Sequence, residues 1–292
     1  MWGLSMLKDR VGIGWRPELA AGIFANLDQI DLVEVIADDY FNAPTKKVRA
    51  LKTLATQIPV VLHGVSMGLA STIPVKLERV EKMARLIDQV QPEFWSEHLA
   101  FVRAAEYEIG HLAAPPRTAQ SIEGALRNVM QVRQIVGSLP LLENIATLID
   151  PPASTMEEAH WVTEIISGCN GSLLLDLHNL YANAVNFGED PQQMLVRFPL
   201  ERVTAIHLSG GKWIAEPNDA SKKRLLDDHI HDVPAIVYEL LSVVASQAEQ
   251  PLTVILERDG DYPTFESLVM QINLARQGLA EGRHRQVDRI AA

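Results

Sequence analysis

The chain has 292 residues, 47% of them hydrophobic and 22% charged, with a formal net charge of −11. That balance excludes a general nucleic-acid or membrane-surface binder, whose phosphate contacts need clustered lysine and arginine. The single cysteine excludes an internal disulfide framework.

The opening MWGLSMLKDRVG has no basic stretch leading into an apolar one, so no signal peptide is expected. No apolar run approaches the roughly 20 residues of a membrane span, and a soluble, cytoplasmic protein is expected. In chain order, short runs rich in Val, Ile and Leu predict strands at 11–15, 31–37, 59–65, 93–99, 139–145, 172–178, 203–209 and 253–259. Amphipathic stretches lie between them. Pro17 sits near a first helical position in PELAAGIFANL, and VKLERVEKMARLIDQV has helical apolar spacing. STMEEAHWVTEIIS opens with Ser154 and Glu157 at capping-box spacing, and DVPAIVYELLSVVAS offers Asp232 as an N-cap.

Continuous rather than alternating apolar strands indicate a parallel sheet covered by helices. Eight strand–helix units in a chain of this size predict a (β/α)8 TIM barrel. One domain is expected over residues 1–292, with its core at about 11–280 and a flexible tail at 281–292. The alternative, an open doubly wound sheet, normally carries a glycine-rich phosphate loop. GIGW and SGGKW match neither glycine-rich pattern.

The strand ends carry the chemistry. Strand three ends in His63, strand four in Glu97 and His98, strand five in Glu143 and Asn144. Strand six ends in Asp176, His178 and Asn179, strand seven in His207, strand eight in Glu257, Arg258 and Asp259. Before the last strand, LLDDHIHDVP adds Asp227, Asp228, His229, His231 and Asp232. In a barrel these ends converge on one mouth. Crowded carboxylates repel unless cations separate them, and carboxylate–imidazole sets without thiolate suit iron, manganese or zinc. The donors outnumber what one ion can use, so two or three metals sharing carboxylates are expected. His231, Asp228, Asp232 and Asp259 read as solvated or supporting groups, and Glu34 as a supporting acid or a partner for Arg16. Cys169, at the far end of strand six, reads as a small buried residue. No G-x-S-x-G elbow surrounds Ser66 or Ser96.

The ordered set HGVSMGL (63–69), SEHLAF (96–101), LLENI (141–145), LLLDLHNLYANAVNFGEDP (173–191), IHLSG (206–210), DDHIHDVP (227–234) and LERD (256–259) resembles the multinuclear non-heme iron-dependent oxidative enzymes. These are TIM barrels of the xylose-isomerase-like superfamily, methanobactin-biosynthesis oxidases among them. The resemblance implies two or three iron ions in mixed Fe2+/Fe3+ states, with dioxygen as co-substrate. It implies modification of a ribosomally made precursor peptide, often at cysteine, with a small partner protein delivering the leader segment. The matching ligand positions are His63, Glu97, His98, Glu143, Asp176, Asn179, His207, Asp227, His229 and Glu257. Arg258 is the candidate for orienting an acid or an oxygen-derived species, and His178 for an added ligand or a supporting donor.

Two departures stand out. His178 replaces an amide in the family's D-x-N-N, and E-V-I-A-D-D-Y (34–40) lacks the usual histidine at Ile36, which puts the substrate pocket in question. The loop at 211–226, carrying Lys212, Trp213, Lys222, Lys223 and Arg224, is read either as a solvated loop or as a lid or docking strip for an acidic peptide. Two other functions are weighed: a zinc-, manganese- or magnesium-dependent hydrolase or sugar isomerase on the same barrel, and a non-enzymatic adaptor.

Overall fold

All eight predicted strands pair in parallel, each with its neighbours in sequence order, and the last closes on the first. The computed structural model describes residues 8–216 and 219–291; the N-terminal segment read above for a signal lies partly outside them. The barrel strands are β1 (Arg10–Gly14), β2 (Val33–Ile36), β3 (Val60–Gly64) and β4 (Trp95–His98). A hairpin of β5 (Phe101–Ala104) and β6 (Tyr107–Ala113) interrupts them. β7 (Leu141–Glu143), β8 (Leu173–Asp176) and β9 (Val203–Leu208) continue the barrel. A second hairpin, β10 (Gly211–Glu216) and β11 (Asp219–Asp227), precedes the closing strand β12 (Thr253–Leu256). β1 bonds both β2 and β12, so no barrel edge is left open.

The helices α1 (Ala20–Ala25), α2 (Thr45–Leu54), α3 (Leu77–Val90), α4 (Ala119–Val136), α5 (Glu158–Cys169), α6 (Leu177–Phe187), α7 (Pro191–Leu195), α8 (Ala235–Gln247) and α9 (Phe265–Ala291) surround the barrel. The strands' outward Val, Ile and Leu side chains form one core with the helices' apolar faces. Cys169 is buried at the end of α5, as its sequence context implied. No helix among the described residues is long and apolar enough to cross a membrane.

Several local expectations are corrected. The 211–226 segment is a hairpin rather than a loop. Ser154 does not cap α5, whose N-cap is Glu157; its Oγ instead accepts the Arg117 N–H at 3.1 Å and donates to Pro151 O at 2.7 Å. Pro234, not Asp232, precedes α8, and the Asp232 carboxylate accepts from Gln271 Nε2 at 3.1 Å and Arg258 at 3.3 Å. Residues 281–291 continue α9 rather than fraying. Arg283 clamps Asp9 with two bonds of 2.9 and 2.7 Å and donates to Gln250 O at 2.7 Å, tying the helix to the barrel's floor.

The sixth predicted strand also stops early. β8 ends at Asp176, whose Oδ1 accepts the Asn179 N–H at 2.7 Å and so caps α6 directly. His178 and Asn179 therefore stand on the first helical turn rather than on the strand, an N-cap geometry that Asp favours.

Candidate metal centre

His63, His98 and His207, from β3, β4 and β9, meet inside the barrel with ring centroids 4.6 Å (His63–His98) and 5.2 Å (His63–His207) apart. Glu143, at the end of β7, lies between all three. Its Oε2 is 3.4 Å from His63 Nε2 and 3.3 Å from His98 Nε2, and its Oε1 accepts from His207 Nδ1 at 2.9 Å. Glu257 Oε2 approaches His207 Nδ1 at 3.2 Å, and Glu34 Oε2 takes His207 Nε2 at 3.0 Å. Backbone and hydroxyl partners fix two of the rings. Gly64 O can only accept, so His98 Nδ1 carries the proton at 3.2 Å. Ser96 Oγ, 2.8 Å from His63 Nδ1, lies 3.5 Å from Leu62 O and can give its own proton there. In both rings Nε2 faces the cluster as a potential ligand.

Ligand atoms close enough to share a cation form three overlapping groups: Glu34, His63 and His207; His63, His98 and Glu143; and Glu143, Asp176, His207 and Glu257. All seven residues of these groups are buried. Burial alone would lower the His98 pKa, but Glu143 and Glu97 raise it to about 9. Burial likewise opposes, and Glu257, Glu34 and Glu143 overcome it, in raising His207 well above the usual imidazole range. Glu257 is held well below the carboxylate range, against its burial, by His207 and His229. Asp176 goes the other way, raised by burial and by Asp227, Glu143 and Glu257. Protons on these groups and a bound cation are thus alternative ways of balancing the charge of a carboxylate–imidazole set. Yet Glu143 Oε2, Asp176 Oδ2 and Asn179 Oδ1 have no hydrogen-bond partner among the described residues. Buried acceptors without donors are costly, and acceptor-rich donor sets of this kind fit hard or borderline divalent cations.

Asp227, at the end of β11, extends the centre outward. Its Oδ1 accepts from His178 Nδ1 at 2.7 Å and Ser209 Oγ at 3.2 Å, while Oδ2 meets His229 Nε2 at 2.8 Å. His229 has a left-handed backbone (φ 55°) and places Nδ1 3.6 Å from Glu257 Oε2. A non-glycine residue in that region is strained, and such strain collects at functional sites. Gly211, at the hairpin's foot, leaves room for the buried His178 ring: a Cβ there would stand 2.6 Å from His178 Cε1. Long-range hydrogen bonds tie the foot of the second hairpin to the barrel. Asn186 on α6 bonds Leu225 through both N–H and C=O (2.7 and 2.9 Å), and Arg224 donates to Leu148 O at 2.7 Å.

Above the cluster lies a cavity of about 420 Å³. Its floor includes His98, Glu143, Asn179, Asp227 and His229, and Leu112, Ile145, Leu148, Leu225 and Leu226 form apolar walls. The floor gathers donors from β4, β7, α6 and the second hairpin, and the first hairpin supplies part of the wall.

Of the sequence-predicted ligands, His63, His98, Glu143, Asp176, His207 and Glu257 are brought together, with Asp227, His229 and Asn179 at their edge. Glu97 is not. Its carboxylate accepts the N–H groups of His98 (3.0 Å) and Met67 (3.3 Å), and it packs against Gly64. A strand's side chains alternate, so neighbours Glu97 and His98 cannot both face the barrel's interior. Arg258 also misses the cluster, because its guanidinium is committed to Gly260 O at 2.8 Å, Asp261 O and Asp232. Arg16 pairs with Asp259, not Glu34. Glu34, read from sequence as a supporting acid or a partner for Arg16, faces the cluster. Its register opposite Val61 on β3 is the signal that places it there, and that register is tertiary information. Asp38 does not face the cavity but accepts the Val65 N–H at 2.9 Å and the Ser66 hydroxyl. His111, unremarked in the sequence, lines the cavity from β6.

A family model described as RiPP precursor modification enzyme MbnB/TglH/ChrH matches residues 10–280. The chain belongs to this family. A UPF0276 protein of Caulobacter vibrioides is 29% identical over 276 residues, covering 94% of this chain and 96% of that protein. One from Streptomyces avermitilis is 33% identical over 276 residues, 92% of this chain and 54% of that one. In structure, an L-ribulose 3-epimerase covers 97% of this chain and 98% of its own with a TM-score of 0.63 at 13% identity. A D-psicose 3-epimerase from Clostridium cellulolyticum H10 gives 0.59 at 10% identity, over 95% and 99%. At those identities the likeness is one of fold alone, a TIM barrel. The family is one of enzymes that modify ribosomally synthesised precursor peptides, so a precursor peptide is the expected substrate class.

Proposed function

We propose that this chain is an iron-dependent oxidase that uses dioxygen to modify a precursor peptide, at cysteine, in the cavity above the cluster. The observation that carries the reading is the overlap of three ligand groups through Glu143, His63 and His207 beneath an apolar-walled cavity. Shared residues of this kind suit two or three ions held side by side. His63, His98, Glu143, Asp176, His207, Asp227, His229 and Glu257 would hold them, with Asn179 at the edge. When bound, iron supplies Lewis acidity, one-electron chemistry and sites for dioxygen and a thiolate.

The chain's own residues do the rest. Gly64 O and Ser96 fix the His98 and His63 tautomers, and Glu34 holds one face of His207. Asn144 exchanges two bonds with the Asp176 backbone (2.9 and 3.0 Å), keeping β7 and β8 ends in register. His178 and Ser209 aim Asp227. The leucine walls exclude water from the reacting group. Delivery of the peptide's leader by a small partner protein belongs to the same reading.

The test is anaerobic loading with ferrous iron, metal analysis with Mössbauer spectroscopy, and dioxygen uptake with a cysteine-containing precursor peptide encoded beside this gene. Iron-dependent uptake with a matching peptide mass change is the expected result. Inertness with iron, together with turnover of a sugar or phosphoester by the zinc- or manganese-loaded protein, would overturn it. A supporting role for His178 has its own check. His178→Ala is expected to weaken metal affinity about 10–100-fold, as loss of an outer hydrogen-bond partner does, and to lower the melting temperature as well, because the ring is fully buried against Asp227.

A further inference from the structure

A second cleft, about 710 Å³, runs along the outside of the barrel between α2 and α3, away from the metal centre. It starts at the mouth rim, at Tyr40 and Phe41, and follows α2 toward the barrel floor at Lys52 and Thr56. Over the ten residues of α2 that is a track of about 15 Å. Its apolar floor is Leu86 with the half-buried Tyr40, Phe41 and Val48.

Its charge is anomalous for this chain. From Tyr40 to Leu77 there is no acidic residue, while Lys46, Lys47, Arg49, Lys52 and Lys76 supply five positive charges in a protein of net charge −11. Arg49, Lys52, Lys82 and Arg85 line the cleft. Lys82 and Arg85 pair with exposed Glu78 (2.6 Å) and Glu81 (3.7 Å), contacts of small energetic worth. Arg49 and Lys52 are exposed and have no ion-pair partner among the described residues. Lys47 lies 4.6 Å over the Tyr40 ring, which keeps that ring at the rim.

We infer that the α2–α3 cleft docks an acidic linear peptide segment of a partner polypeptide, with an aromatic or aliphatic side chain seated on Tyr40, Phe41, Val48 and Leu86. Charge complementarity selects the occupant. Basic rims flanking an apolar floor suit alternating carboxylates and an apolar anchor. A nucleic acid is disfavoured, since a long polyanion meets the field of the whole acidic chain, whereas a short segment senses the charges within about 8 Å. This site is independent of the oxidase reading, because it needs neither metal nor turnover.

The experiment is fluorescence anisotropy on the full metal-free chain. The probe is a labelled peptide of glutamates around a central Phe-Leu, compared with its glutamine version and with a short oligothymidylate. Expected results are salt-sensitive binding of the acidic peptide, and weakening by about tenfold or more both with the glutamine version and with R49E/K52E. Those two side chains are solvent-exposed, so the thermal melt of the variant should match the parent. E143Q should bind the probe like the parent, which separates this site from the metal centre. Unchanged affinity in R49E/K52E, oligothymidylate binding as tight as the peptide, or no peptide binding at all would each overturn the inference.

Discussion

Glu143→Gln is expected to strip the protein of most of its metal while leaving the fold intact. Glu143 touches His63, His98 and His207 at once and belongs to two of the three ligand groups. Glutamine keeps the shape but replaces a two-oxygen anion by a neutral group with one acceptor. Loss of an outer partner costs 10–100-fold in metal affinity, so losing a shared ligand should cost at least about 100-fold. Metal analysis after iron loading and desalting reads this directly, with circular dichroism to show that the barrel persists. Glu97→Gln is the counterpart. Glu97 serves two backbone N–H groups on the far side of β4, so this variant should bind metal like the parent and lose some stability. Normal metal content in E143Q would contradict the shared position of Glu143, and metal loss in E97Q would show that Glu97 is a ligand after all.

Asn128→Ala is expected to produce a large loss of stability with no change in metal stoichiometry. The fully buried Asn128 side chain on α4 donates to three carbonyls of the segment after β3: Leu69 O (3.2 Å), Ser71 O (2.9 Å) and Ile73 O (3.0 Å). The approach is close enough that a Cβ on the neighbouring Gly124 would stand 2.7 Å from Ser71 O. Alanine leaves the buried Leu69 carbonyl and the part-buried Ser71 and Ile73 carbonyls without this donor. At about 1–3 kcal/mol for a stranded buried group, a cost of about 3 kcal/mol is expected. For a domain of this size that is a fall of roughly 6–12 °C in melting temperature. Scanning calorimetry measures it, and a fall under about 2 °C would show that the loop relaxes to find water.

The barrel was legible because it is a matter of pattern. Eight apolar runs too continuous for an exposed sheet, separated by amphipathic stretches, admit few packings, and all eight form the closed parallel sheet. The convergence of His63, His98, Glu143, Asp176, His207 and Glu257 was legible for the same reason, since strand ends in this fold share one mouth. Even so, a strand end does not specify a face. Glu97 and His98 are adjacent in sequence, and only the register of β4 against β3 and β7 sends His98 inward and Glu97 to two backbone amides. Glu34 shows the reverse: an ordinary-looking acid within a strand that register brings to His207.

The hairpins escaped detection because a two-stranded ribbon has no continuous apolar core of its own. β10 and β11 are held by contacts distant in sequence, Asn186 to Leu225 and Arg224 to Leu148. Composition, periodicity and the residue types at strand ends determined the fold, its closure and the gathering of imidazole and carboxylate side chains at its mouth. Tertiary structure alone decided which carboxylates face one another, that His178 holds Asp227 rather than extending a strand, and that Arg258 is spent on its own loop. Those outcomes depend on side-chain direction and long-range hydrogen bonds, which no local stretch of sequence encodes.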